Sequence, residues 1–342
     1  MPASQRPAPA SSRRLLDLIA WFRACRVVVL GDLIADEFVY GRVARVSREA
    51  PVLILEYDST AILPGGAGNA ASNVAALGGQ VGLVALAGRD EPGRRLMASL
   101  PPRIGRQGIV RPAGYRTPVK TRILAGGVHS AKQQVVRIDR GPSGPITDQQ
   151  RAAIVRAATR ATRQADAVLI SDYGSGLVDP RMVAALARPL HARGIPVLVD
   201  SRYQLLKFSR LTACTPNESE VEQVLGVSIG DRPRVLERAG RAVLEKTRME
   251  AVLVTRGSRG MALFEPGKPT VHIPIYGPDE VTDVTGAGDT VMAVMTLALG
   301  AGATFEEAAR LANYAGGLVV MKRGTATVSV RELREAVTDG GR

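Results

Sequence analysis

The sequence predicts an α/β fold: a doubly wound, mostly parallel sheet flanked by helices, with a small inserted β lid. Three observations carry this. Short continuous apolar runs alternate with helix-length segments along most of the chain. Several of those runs end in a polar residue, at the edge where open α/β sheets keep their ligands. Of the 342 residues, 45% are hydrophobic but only 4% aromatic, and such an aliphatic composition suits strands buried on both faces.

The elements follow in order. Residues 1–12 are rich in Pro, Ala and Ser, lack the apolar core of a signal peptide, and are read as a disordered extension. Arg13 to Phe22 reads as a short amphipathic helix. Val27 to Leu30 is a buried strand ending in Gly31-Asp32. Ala167 to Asp172 ends in Asp172, and Pro196 to Asp200 ends in Asp200. Leu211 to Thr215 leads into Pro216-Asn217, and Val252 to Thr255 leads into Arg256-Gly257. Helices are predicted at 147–164, 178–193, 217–225, 231–248, 286–300 and 304–321. Val52 to Tyr57 and Pro118 to Ile138 read as strands without intervening helices. They are assigned to the lid, with segments at about 37–62 and 108–138. One domain is expected over 13–336, followed by a tail at 337–342.

Composition narrows the function classes. The net charge is +13, but the basic residues are spread along the chain and interleaved with acids, and few aromatics are available to stack on bases. A local basic site for small anionic substrates fits better than nucleic acid. Cys25 and Cys214 are far apart and lack metal-ligand spacing, which points to a reduced, cytoplasmic protein. No apolar run approaches the ~20 residues of a membrane span.

The most informative segment is Val281-Thr282-Asp283-Val284-Thr285-Gly286-Ala287-Gly288-Asp289-Thr290. It reads as a turn opening a helix. Gly286, Ala287 and Gly288 have little side chain, so their N–H groups can converge on an anion with help from the helix dipole. Asp289 lies beside them in the first turn. A carboxylate next to an oxyanion trap suits phosphoryl transfer: one part deprotonates a hydroxyl, the other stabilises the moving charge. The bland reading makes Asp289 a capping residue and the glycines a turn. A second cluster, Gly65-Gly66-Ala67-Gly68-Asn69, precedes a helix with Ala70, Asn73, Val74 and Leu77 on one face. The paired glycines let a sugar approach the backbone, and Asn69 offers a donor and an acceptor to a hydroxyl. The alternative is a Gly-rich turn with Asn69 as N-cap.

The two clusters, in this order and about 220 residues apart, resemble the ribokinase-like (PfkB) sugar kinases. Between them, Asn217-Glu218-Ser219-Glu220 is similar to that family's Asn-x-x-Glu motif and Thr255-Arg256-Gly257 to its nucleotide loop. The resemblance runs from about Val27 to Val330. A narrower likeness is to kinases of D-glycero-D-manno-heptose 7-phosphate. It rests on Gly31-Asp32, Asp36, Tyr40-Gly41, Arg45 to Val52, Thr117 to Arg122, Arg137-Ile138-Asp139, Asp172-Tyr173-Gly174 and Gly324 to Ser329. The chain departs from that pattern at Ser175, where the family often has lysine, at Asp200-Ser201-Arg202 in place of Asp-Pro-Lys, and at Arg48.

The resemblance implies ATP-dependent phosphorylation of the anomeric hydroxyl to the 1,7-bisphosphate, on the way to ADP- or GDP-heptose and lipopolysaccharide core. Asp289 is implied as base, with Gly286, Ala287 and Gly288 as the anion hole. Nucleotide-side residues are Asn217, Glu218, Ser219, Glu220, Thr255, Gly257 and Asn313. Magnesium is implied at Asn217 and, through water, Glu220, with Asp283 a further candidate ligand; a monovalent cation is a further candidate cofactor. Sugar-side residues are Asp32, Asp36, Gly65, Gly66, Asn69 and Asp172, with Lys120, Arg122 and Arg137 for the distal phosphate. A homodimer joined through the lid is expected, and a separate nucleotidyltransferase, since the chain stops near 342. Rival readings are a PfkB-type kinase for another sugar, phosphosugar or nucleoside, and a catalytically silent sugar-binding protein. An ATP-consumption screen over free and phosphorylated sugars separates them. His129, His191 and His272 have no partner spacing and are read as surface or lid residues.

Overall fold

The computed structural model describes residues 11–126, 132–277, 283–322 and 324–340. In chain order these form α1 (Ser12–Trp21), β1 (Arg26–Gly31), β2 (Leu33–Val46), β3 (Leu53–Gly66), α2 (Ala67–Ala76), β4 (Gln80–Leu86), α3 (Glu91–Ser99) and β5 (Ile104–Val110). Then follow β6 (Val119–Gly126), β7 (Gln133–Arg140), α4 (Asp148–Ala161), β8 (Ala167–Asp172), α5 (Pro180–His191), β9 (Val197–Ser201), β10 (Ala213–Cys214) and α6 (Glu218–Leu225). The chain continues through α7 (Pro233–Thr247), β11 (Ala251–Thr255), β12 (Met261–Phe264), β13 (Val271–Ile273), α8 (Ala287–Gly300), α9 (Phe305–Val319) and α10 (Val330–Asp339).

The main sheet has the order β13-β12-β11-β10-β9-β8-β1-β4-β5. Its strands from β11 to β5 run parallel, and β12 and β13 close one edge antiparallel. β1 shows why the sheet is covered twice. Val27 and Val29 pack into one core with α1, α2, α8, α9 and α10, while Val28 and Leu30 pack into the other with α4, α5, α6 and α7. Successive side chains of a strand face opposite sides, so a continuous apolar run needs a helical layer on each. α8 is buried nearly all round, as its run of Ala, Val, Met and Leu requires.

Helix starts are chemically specified. Thr147 with Gln150, Thr304 with Glu307 and Ser329 with Glu332 form reciprocal capping boxes at α4, α9 and α10. Losing such a cap costs about 0.5–2 kcal/mol.

A second sheet, in the order β3-β2-β6-β7, forms the lid. β2 leaves the main sheet directly after β1 and pairs along its whole length with β3, from Leu33 opposite Gly66 to Val46 opposite Leu53. The lid differs from expectation in extent. It begins at Leu33 and runs to Arg140, whereas residues 108–110 belong to β5 at the edge of the main sheet. Alternating apolar positions could not distinguish the two sheets. The strand at 211–215 shrinks to Ala213–Cys214, because Pro216 has no N–H to extend the ladder. Expectations for residues 1–10, His129, and Val281-Thr282 fall outside the described residues.

Candidate active site

The carboxyl ends of β8, β9, β10 and β11 converge with the N-terminus of α8 under the root of the lid. They bound a cleft of about 500 Å³, in the place where parallel sheets hold ligands. Asp289 lies in the first turn of α8, its side chain almost sealed from water. Both its oxygens are held. Asn69 Nδ2 donates to Oδ2 at 2.8 Å, and the Tyr173 hydroxyl donates to Oδ1 at 3.0 Å. Burial pushes the carboxyl up to about 6; Asp36 pushes further, while Asn69, Tyr173 and Lys120 pull it back. A carboxyl with such a value is ionised near neutrality and still basic enough to accept a proton.

Asn69 reaches Asp289 because α2 begins at Gly66, whose φ of 55° brings the chain sharply off β3. The amide is itself oriented. Asn73 Nδ2 donates to Asn69 Oδ1 at 3.3 Å, and Asn73 Oδ1 accepts from Thr290 Oγ1 at 3.1 Å. Asn69 is therefore turned with its donor toward Asp289, tying α2 to α8 rather than standing free for a sugar.

The glycine turn is partly as expected. Gly286 adopts φ 80°, and a Cβ there would collide with the Asn69 amide. That left-handed step closes a turn in which the Ala287 N–H donates to Val284 O at 3.2 Å. The anticipated trio thus loses Ala287. Gly286 and Gly288 have no acceptor for their N–H groups among the described residues, and the space beside the Gly288 Cα is open.

On the sugar side, the expected basic cluster is largely self-paired. Arg122 is ion-paired with Asp36, and Arg137 makes a bidentate bond to Asp139 at 2.9 and 2.8 Å. Lys120 lies 4.4 Å from the Tyr173 ring centroid. Burial lowers its ammonium from the usual value, with Asp36 opposing and Arg202 assisting. Lys120, Arg122, Arg137, Asp36, Asp172 and Gly66 all line the cleft. Gly65 lies behind it, where a Cβ would strike Asp36. Asp32 also lies behind. Its Oδ2 takes the N–H groups of Tyr173 and Ser175, and burial raises it to about 6. Asp172 is bound by Ser201 and the Gly174 N–H.

On the nucleotide side, an isolated parallel bridge joins Asn217 to Thr255 and so unites two motifs 38 residues apart. Asn217 and Glu220 cap α6 reciprocally, at 2.9 and 2.8 Å, and both line the cleft with Gly257 and Asn313. Asn313 Nδ2 also donates to Pro274 O. Three expectations are displaced. Glu218 turns away from the cleft into ion pairs with Arg256 and Arg259. Ser219 is exposed outside it. Asp283, a candidate metal ligand, accepts the N–H groups of Thr285 and Gly324 on its two oxygens. A position one residue along a helix rotates by about 100°, which is why Asn217 and Glu220 face the cleft and their neighbours do not.

Sequence reasoning missed Tyr173, Asn73 and Asp200 as site residues, while Arg202 stands out in the sequence only as a departure from the heptose-kinase pattern at which a ligand contact could lie. Asp200 and Arg202 line the cleft at the end of β9. Burial raises the Asp200 carboxyl well above its usual range, and Glu220 and Asp289 add to it. Its place at a strand's carboxyl end was the available signal. For Asn73 the signal was a polar residue on an apolar helix face. Among the other histidines, neither His191 nor His272 lines the cleft, and His191 is half-buried rather than at the surface.

The pfkB family carbohydrate kinases match this sequence over residues 26–332. The chain belongs to that family. The kinase is thus a phosphotransferase with an alcohol group as acceptor. It is 39% identical over 323 residues to the bifunctional protein HldE of Desulfatibacillum aliphaticivorans, covering 94% of this chain and 65% of that protein. It is 40% identical to HldE of Geobacter sulfurreducens, covering 92% and 64%. The chain therefore spans just under two thirds of the length of these relatives. Arabidopsis thaliana ribokinase, solved with ribose and ATP, superposes with a TM-score of 0.69 at 21% identity, covering 93% of this chain and 99% of that one. Escherichia coli phosphofructokinase-2, solved with fructose-6-phosphate, gives 0.73 at 18%, covering 93% and 100%. At these identities the likeness is one of fold. Among the described residues no helix is long and apolar enough to cross a membrane.

Proposed function

We propose that this kinase transfers the γ-phosphoryl group of ATP to the anomeric hydroxyl of D-glycero-D-manno-heptose 7-phosphate. One observation carries the reading: Asp289, gripped by Asn69 and Tyr173, stands at the N-terminus of α8 between a basic half-cleft under the lid and the joined Asn217 and Thr255 loops. The similarity to HldE proteins supports the heptose as acceptor.

In this mechanism Asp289 accepts the hydroxyl proton as the new P–O bond forms. The Gly286 and Gly288 N–H groups face the developing charge. Lys120, under the lid, brings positive charge to the end of the cleft assigned to the distal phosphate, Arg202 adds to it after β9, and the lid strands exclude water. The donor set fits a hydrated magnesium ion. Glu220 and Asp289 both raise the Asp200 carboxyl electrostatically, and a dication relieves that repulsion. Asn217, Glu220 and Asp200 are the residues that would hold it, with waters retained; when bound it neutralises phosphate charge.

Partner and place complete the proposal. The lid carries exposed apolar side chains, among them Val43, Val46, Val52, Leu53, Tyr57, Val135, Val136 and Ile138. We assign this surface to a homodimer, in the cytoplasm, with nucleotidyl transfer performed by a separate protein or domain. The sequence suggests Val52, Ile54, Val119, Ile123 and Val136 for that contact; Val52 and Val136 are exposed, but Val119 is buried within its own chain and Ile54 and Ile123 are half-buried, so other exposed side chains take their place.

The test is an ATP-consumption screen with purified protein over free and phosphorylated hexoses, heptoses and nucleosides, with magnesium and potassium varied. Heptose 7-phosphate should give the highest kcat/KM. A higher value for another sugar reassigns the substrate, and no turnover with any acceptor supports a silent binding protein.

A further inference from the structure

Tyr173 occupies an unusual place. The turn that carries it is pinned on both sides by carboxylates. Asp32 Oδ2 accepts the N–H groups of Tyr173 at 2.8 Å and Ser175 at 3.0 Å, and Asp172 Oδ1 accepts that of Gly174 at 3.0 Å. Ser201 Oγ holds Asp172 at 2.7 Å, and Gly174 takes φ 79° to complete the turn. The phenol is thereby delivered to one spot, 3.0 Å from Asp289 Oδ1. An ionised carboxylate has no proton to give, so the phenol must donate. It also keeps its proton, because burial and the neighbouring Asp289 raise its pKa well above the usual value. Lys120 from β6 and Arg202, just after β9, flank the ring, at 4.4 and 5.9 Å from its centroid.

We propose that Tyr173 is a positioning residue for phosphoryl transfer: with Asn69 it grips the Asp289 carboxylate by both oxygens, fixing its orientation and favouring its ionised, proton-accepting form. This rests on the reading of Asp289 as the base. The charged and titratable groups facing Asp289 are Asp36 of β2, Lys120 of β6, Tyr173 after β8 and Asp200 of β9. Of these, only the phenol is removed by Tyr173→Phe, which keeps the ring under Lys120 and Arg202. A hydrogen bond to the charged form of an acid lowers its pKa. Losing it therefore raises Asp289 above its present value, and the base is protonated over a wider range of acidic pH.

The test compares wild type and Tyr173→Phe by two readouts. One is kcat and KM from pH 5 to 9 with the best acceptor from the screen. The other is 13Cγ NMR titration of aspartate-labelled protein, with the Asp289 resonance assigned by its loss in Asp289→Asn. The expected result is a midpoint raised by about one pH unit. The kcat loss from that shift should be about fivefold at pH 6, approach tenfold at pH 5 and nearly vanish at pH 8, with KM changed much less. A loss equal at every pH, with the midpoint unmoved, overturns the proposal and leaves Tyr173 a packing residue. Activity retained in Asp289→Asn overturns the base assignment instead, whatever Tyr173 does. If Tyr173→Phe does not fold, 3-fluorotyrosine at 173 keeps the hydroxyl and donates more strongly. The midpoint should then move down, and no movement overturns the proposal equally.

Discussion

Arg122 of the lid is ion-paired with Asp36 of the neighbouring strand, and their side chains are only 11% and 6% exposed. This couples β6 to β2 at the root of the lid. It also spends a cation that the sequence assigns to substrate.

The first prediction concerns this pair. Arg122→Met removes the partner of a buried carboxylate and should destabilise the protein by about 3–5 kcal/mol. Arg122→Met combined with Asp36→Asn should recover much of that loss. Denaturant melts of wild type and the two variants decide it. A single variant as stable as wild type would show that Asp36 finds another partner.

The second prediction is Asp289→Asn. Turnover should fall by about 10²–10⁴-fold, because the change is nearly isosteric but removes the base, while nucleotide affinity by calorimetry stays close to wild type. A variant keeping a tenth of the rate excludes Asp289 from proton abstraction.

The third prediction is a divergence between activity and stability with pH. Asp289 and Asp32 rise from 3.8 to about 6 in the folded protein. A raised acid binds protons more readily folded than unfolded, so its contribution to stability falls as pH climbs from about 4 to about 6 and then levels. Activity runs the other way, rising through about 6 as Asp289 ionises. The stability of Asp289→Asn relative to wild type should shift in the variant's favour by about 2 kcal/mol between pH 4 and pH 8. A difference independent of pH would contradict the raised value.

The fourth prediction is selectivity. Lys120→Met should lower kcat/KM for heptose 7-phosphate at least about tenfold, a loss in line with a charge-assisted phosphate contact, and far less for the unphosphorylated heptose. Equal losses for both would detach Lys120 from the distal phosphate.

The fifth prediction is assembly. Val136→Lys with Ile138→Lys places charge on exposed apolar positions of β7 and should convert a dimer to a monomer by light scattering. A dimer that survives both changes has its interface elsewhere.

Much of the fold was legible because it obeys simple periodicities. The runs Val27 to Leu30 and Ala167 to Ile170 can be buried on both faces only in a parallel sheet under helices. The polar end of the second run, Asp172, marks the edge of the sheet that carries the cleft. The roles within the cleft were less legible. Asn69 and Asp289 are recognisable as polar residues at glycine turns, but their mutual hydrogen bond spans 220 positions and no local pattern encodes it. The same holds for Arg122, whose pairing with Asp36 depends on parallel register between β2 and β6. Glu218 and Ser219 failed for another reason. A four-residue motif was read as a unit, although a helix presents only its first and fourth residues to one side.

The long hairpin of β2 and β3 has a mechanical consequence. Each strand is 14 residues long, about 46 Å at the usual rise, and both are rooted where Leu33 pairs with Gly66 at the wall of the cleft. The hairpin is a lever with its fulcrum at the reacting groups. A tilt of about 10° shifts its far tip by about 8 Å over that length while moving Asp36, three residues from the fulcrum, by only about 2 Å. Distant displacement is thus geared down to fine adjustment at the cleft wall. Force applied at the tip, by whatever grips it, is multiplied at the root by the same ratio.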